Sequence, residues 1–237
     1  MGFAGAMRIV TLRRETDWDG WRAATRALVL AGEPPEALAW VVDPSVPPFA
    51  DISASPATAP PVPRVEAGFA VPRALVALAA QVIQARDPER FALLYGLVWR
   101  VHAGMPVLAD AGDPALRRVR ALALAVRAEA HRMRALIRYL PAADGTRFLG
   151  WYTPAHFVLE ANAPLLARWY PGFAVSILTP DGSAHWSAAG HGDAARPEGT
   201  AGVAFGPAVD PAAVPDDAAL RAYWTGFGAD LLAAAAP

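Results

Sequence analysis

Any chemistry in this chain has to come from histidine, carboxylate, hydroxyl and arginine groups, because its 237 residues include five histidines and no cysteine. Disulfide staples, thiolate zinc sites, a catalytic cysteine and Cys-ligated iron–sulfur clusters are thereby excluded. His131, His156 and His185, together with Asp181, are the groups a hydrolase or nucleotide-processing site would use, with imidazole moving protons and carboxylate orienting it. Their spacing matches no HExxH, GxSxG, phosphate-loop or dinucleotide glycine pattern. Single histidines scattered in this way also read as structural, and Asp181-Gly182 also reads as turn chemistry. No metal or cofactor is implied by these residues.

The cations are more ordered than the histidines. All 21 basic residues are arginine; there is no lysine, and 22 acids bring the formal net charge to −1. The whole is therefore not a polybasic nucleic-acid binder, yet the charge is segregated. Between Pro114 and Leu140 seven arginines face one acid, Glu129, a local excess of +6, whereas residues 180–237 hold seven acids and two arginines. At about 100° per residue, Arg120, Arg127, His131, Arg134 and Arg138 fall within about 60° of one another on a helix, beside an apolar seam of Leu116, Val119, Ala123, Val126, Ala130, Met133 and Ile137. Arg132 follows His131 in the chain. Such a stripe would extend roughly 27 Å at 1.5 Å per residue, enough to follow a run of phosphates. The alternatives are a solvated face, or a guanidinium set that recognises carboxylates on another protein.

The elements that must position these groups follow from periodicity and caps. Arg8–Leu12 reads as a strand, Asp17 caps a helix with Trp21, Ala24, Leu28 and Val29 on one face, Gly32 ends it, and Ala37–Val42 is a second strand. Seven prolines between Asp43 and Pro63 predict a semi-extended linker. Helices are expected from Pro72 to about Arg86, from Asp87-Pro88 to Gly104, from Asp113-Pro114 to about Tyr139, from Pro154 to Tyr170 with a bend at Pro164, and from Asp216 to about Leu232. Strands are expected at Arg147–Tyr152 and Phe173–Leu178, the latter turning at Thr179–Ser183 into a hairpin near 173–187, with residues 187–215 as loop. The expectation is an α+β fold, mostly helical, with short antiparallel strands. It is organised as a small α/β module over 1–42, a linker over 43–70 and a main domain over 71–237. Trp99, Trp151, Trp169 and Trp186 fall among apolar neighbours and read as core; exposed, they would be stacking platforms for bases.

The most apolar stretch, Val71–Ile83, is broken by Pro72, Arg73 and Gln81, so no membrane span is expected. Met1–Ala6 has neither a basic nor an apolar signal region, so a cytoplasmic location is expected, with Met7 as an alternative start.

Three segments, Phe91–Arg100, Val126–Tyr139 and Phe173–Trp186, together with the Asp17–Trp21 start, resemble a bacterial family of proteins assigned to DNA repair or DNA metabolism. The likeness covers most of residues 8–225 and includes a His-Arg-Met helix followed by an Arg-aromatic pair, here His131, Arg132, Met133, Arg138 and Tyr139. The family's domain is itself of unknown function and is similar to one fused ahead of a uracil-DNA glycosylase-like domain or standing beside a radical SAM protein. This chain departs from the family pattern at Pro154-Ala155-His156-Phe157, with one histidine where relatives have two, and at Ser187, where they have Asp. It also lacks their basic C-terminal motif. The resemblance implies association with DNA repair. The expected role is an accessory domain binding nucleic-acid backbone through Arg120, Arg127, His131, Arg132, Arg134 and Arg138. The rival expectations are an adaptor for a glycosylase-like or radical SAM partner, and an enzyme using His131, His156, Asp181 or His185.

Overall fold

A computed structural model describes residues 7–45, 70–141, 148–170, 172–186, 202–210 and 212. Most of the expected proline-rich linker and the whole of the expected final helix lie outside the described residues. The fold is α+β, with helices predominating and short strands in two sheets. Contacts group the described residues up to Ala128 into one compact unit and those from Glu129 onward into another.

In the first unit, β1 (Arg8–Leu12), α1 (Trp18–Leu30) and β2 (Leu38–Val42) form a strand–helix–strand unit. The two strands pair in parallel, from Arg8 against Leu38 to Leu12 against Val42. A connection long enough for a helix is what parallel pairing requires. Asp17 caps α1: its Oδ1 accepts from the Gly20 N–H at 3.0 Å, and its Oδ2 from the Arg13 N–H at 3.1 Å. Gly32, at φ +74°, lets the chain leave the helix in a left-handed conformation. Next come α2 (Arg73–Val82), α3 (Arg90–His102) and the start of α4 (Pro114–Leu136). The segment read as a separate N-terminal module shares one core with these helices, in which Leu12, Trp21, Leu28 and Leu38 pack with Leu75, Phe91, Leu94, Tyr95, Leu97 and Leu116. Each such side chain contributes about 1.5–3 kcal/mol when fully buried. Asp113 caps α4 through the Leu116 N–H at 2.7 Å, and Arg100, 2.6 Å from it, holds the carboxyl below the usual carboxylate range.

In the second unit, β3 (Arg138–Pro141), β4 (Phe148–Trp151), β5 (Val175–Leu178), β6 (Ser183–Trp186) and β7 (Ala204–Gly206) form one sheet in that order, and α5 (Leu159–Trp169) links β4 to β5. The hairpin between β5 and β6 stands where the sequence places it. Its turn is held by Thr179, whose Oγ1 donates to the Gly182 carbonyl and accepts from the Asp181 and Gly182 N–H groups. The sheet is not wholly antiparallel, because β4 and β5 run parallel across the α5 crossover. Val175, Ile177, Ala184 and Trp186 are buried with Met133, Ile137, Leu159, Ala163 and Leu166.

Several boundaries differ from the sequence expectation: α2 ends at Val82 rather than near Arg86, α3 starts at Arg90 rather than at Asp87-Pro88, and β5 starts at Val175 rather than Phe173. The long helix ends at Leu136 rather than near Tyr139, because Arg138–Pro141 pairs with Phe148–Trp151. Helix α5 begins at Leu159 rather than Pro154, because the Ala155 N–H is engaged by the Glu129 carboxylate and Ala155–Phe157 forms a bend instead. Within residues 187–215, expected as loop, Ala204–Gly206 adds a three-residue edge strand to β6, too short to leave an alternation in the sequence.

Candidate nucleic-acid interface

Helix α4 carries most of the arginines singled out above, and the structure sorts them by partner. In the first unit, Leu116, Val119, Ala123 and Val126 are buried along the seam, as their spacing requires. Arg118 is neutralised by Asp87 at 3.1 Å and Glu89 at 2.5 Å. Arg120 and Arg127 are exposed and hold neutral acceptors only: the Leu108 carbonyl at 3.5 Å, and Gln81 Oε1 at 3.2 Å. The first of these contacts is at the limit of a hydrogen bond.

In the second unit the seam takes Glu129, 2% exposed, where the sequence reading has Ala130, which is half-buried. A buried carboxylate needs donors, and Glu129 has three. Its Oε1 accepts from the Tyr152 hydroxyl and the Ala155 N–H, both at 3.0 Å, and its Oε2 from Arg132 at 2.7 Å. Burial and the adjacent carboxylate push the Tyr152 phenol up to about 12. Arg132 is thus an ion-pair partner one turn away rather than a free cation. Arg134 donates to Asn162 Oδ1 at 2.5 Å, and Asn162, buried, donates in turn to the Ala130 carbonyl at 3.2 Å. His131 is exposed and Arg138 half-buried on β3; among the described residues neither makes a side-chain hydrogen bond or ion pair. Arg138 therefore belongs to a strand, not to the helical stripe.

The groups suggested for catalysis occupy different elements of the second unit. His131 is on α4, His156 lies in the bend before α5, Asp181 is in the hairpin turn, and His185 is on β6. His185 bridges two buried hydroxyls, Ser176 Oγ on β5 and Ser183 Oγ on its own strand, each at 2.9 Å. Opposite them, a Cβ on Gly206 would lie 2.7 Å from Ser183 Oγ, so the edge strand closes over this group only with glycine there. Among the described residues no group of three or more His, Asp or Glu side chains is placed to hold a metal ion.

Sequence reasoning missed Glu129 as an organising group, and its signal was available: one acid among seven arginines, three residues after Val126 and four before Met133, which is a seam position. It also missed Arg90, which is 3% exposed and donates to the Ile83, Asp87 and Glu15 carbonyls and to the Glu15 carboxylate. Of the four tryptophans expected in the core, Trp186 is buried, Trp99 and Trp151 are half-buried, and Trp169 is 56% exposed. The last is a correction: α5 buries Leu159, Ala163, Leu166 and Ala167, and Trp169 falls outside that stripe.

Residues 88–230, more than half of the chain, match the model of a family described as a domain of unknown function, DUF4130. No curated protein and no solved structure matches the chain.

Proposed function

The chain belongs to the DUF4130 family, a domain of unknown function, and from that premise we propose that it is a cytoplasmic, DNA-repair-associated accessory domain that contacts nucleic-acid backbone. The contacts are assigned to Arg120 and Arg127 in the first unit and to His131, Arg134 and Arg138 in the second. One observation carries this reading. Among the described residues, these four guanidiniums have no carboxylate partner, whereas Arg118 and Arg132 of α4 are ion-paired. An uncompensated guanidinium keeps its charge at any physiological pH and takes phosphate oxygens in a bidentate fork. Binding of this kind is salt-sensitive and largely indifferent to sequence.

The test is fluorescence anisotropy with labelled single- and double-stranded DNA, with and without uracil, from about 50 to 200 mM salt. Wild type binds at the low-salt end, and Arg127→Glu/Arg134→Glu weakens binding and flattens the salt dependence. No binding at low salt, or affinity untouched by the double variant, ends the proposal. A second reading has its own support: Leu124, 65% exposed on α4, lies three and four residues from Arg127 and Arg120. An apolar side chain between two arginines suits an acidic protein surface, such as that of a glycosylase-like or radical SAM partner. A Leu124→Glu variant that loses such a partner while retaining DNA binding would favour that adaptor role.

A further inference from the structure

Three aromatic side chains within five positions of the chain stand in solvent where α5 ends and β5 begins: Trp169 is 56%, Tyr170 41% and Phe173 40% exposed. Large apolar rings grouped at the surface call for a binding partner. Two of the three are braced from beneath. Tyr139 meets the Tyr170 ring edge-on at a centroid distance of 6.0 Å, and Phe148 meets Phe173 edge-on at 5.4 Å. Tyr139 itself is fixed by close packing: a Cβ on Gly150 would lie 2.9 Å from its ring. Rings held in this way keep their outer faces available without the entropy loss of ordering them on binding.

The charge around the rings selects among occupants. Between Ala161 and Pro180 there is no acid, and the one charged residue, Arg168, is exposed and has no ion-pair partner among the described residues. Arg138, which precedes the bracing Tyr139 on the edge strand β3, points to the other face of the sheet, so Arg168 is the cation that accompanies the rings. Exposed aromatic faces next to a guanidinium that no carboxylate neutralises are an arrangement that stacks unpaired bases while holding their phosphates.

We propose that Trp169, Tyr170 and Phe173 form a stacking platform for unpaired bases, so that the nucleic acid this domain takes is single-stranded or locally opened rather than intact duplex. The proposal rests on the backbone-binding reading given above, and it narrows the substrate class.

The experiment compares, in the full chain, a labelled oligothymidylate with a duplex of equal length. The single strand binds more tightly. Trp169→Ala weakens single-strand binding at least about fivefold, as loss of one stacked base does. It leaves duplex affinity and the salt slope unchanged, while Trp169→Phe retains most of the affinity. The tryptophan fluorescence quenched by the oligonucleotide in wild type falls in Trp169→Phe, which identifies the stacked ring directly. Wild-type single-strand affinity in Trp169→Ala, or an equal loss on duplex, overturns the platform and leaves the patch to a protein partner. Failure of every DNA probe to bind overturns both readings. Sensitivity to Trp169→Ala combined with indifference to Arg127→Glu/Arg134→Glu keeps the platform and ends the arginine assignment.

Discussion

Glu129 gathers three donors from three places in the sequence: a guanidinium one turn along its helix, a phenol beyond β4 and a backbone N–H in the bend before α5. Its worth lies mainly in those donors, since a part-buried donor left without an acceptor costs about 1–3 kcal/mol. Glu129→Ala is therefore expected to lower unfolding free energy by about 2–4 kcal/mol, and Glu129→Gln, which keeps one acceptor oxygen, by less. Urea unfolding measures both, and unchanged midpoints would show that the carboxylate is dispensable. At this scale composition was informative in one respect. The absence of lysine and cysteine in the sequence already confined the chemistry, whereas which arginines are neutralised was invisible, because Asp87 and Glu89 reach Arg118 across about thirty residues of chain. Arg90 shows the same limit, buried and coordinated by carbonyls although its residue type suggests a surface position.

Among elements, α1 is the one most fully written in local sequence. Asp17 folds its carboxylate back over the first turn so closely that a Cβ on Gly20 would lie 2.2 Å from Oδ2. Alanine is about 1 kcal/mol better than glycine inside a helix, yet Gly20→Ala is expected to destabilise, because the cap must move or break. Asp17→Ala should cost about 0.5–2 kcal/mol by removing the cap outright. If thermal unfolding found Gly20→Ala more stable than wild type, the cap geometry described for Asp17 would be wrong. The far end of α4 is the opposite case. Ile137, Arg138 and Tyr139 continue the helical spacing of the residues before them, and the strand they enter is decided by a partner, Phe148–Trp151, that local periodicity cannot register. The apolar seam likewise turned by one position once Tyr152 and Ala155 supplied donors that make a buried Glu129 tolerable.

For the molecule as a whole, the lack of lysine and cysteine leaves the five tyrosines as the side chains that titrate in the alkaline range below arginine. Tyr95, whose hydroxyl donates to the Glu33 carbonyl at 2.5 Å, is pushed by burial to about 12, Tyr152 likewise to about 12, and half-buried Tyr139, whose hydroxyl is shielded from solvent, upward as well. A phenol whose folded pKa lies above its unfolded value contributes stability that is fully present below about pH 10 and is lost as pH rises through the folded value. Unfolding midpoints should thus hold level up to about pH 10 and fall between about 10 and 12, in step with phenolate absorbance near 295 nm. A stability profile flat to pH 12 would contradict the burial described for these rings. The sequence by itself determined the α+β class, the caps at Asp17 and Asp113, the hairpin and the segregation of charge, because each depends on neighbours a few residues apart or on composition alone. The tertiary structure decided which cations remain uncompensated, where α4 gives way to strand, and that Trp169 faces water, because burial and ion pairing are set by groups brought together from distant parts of the chain.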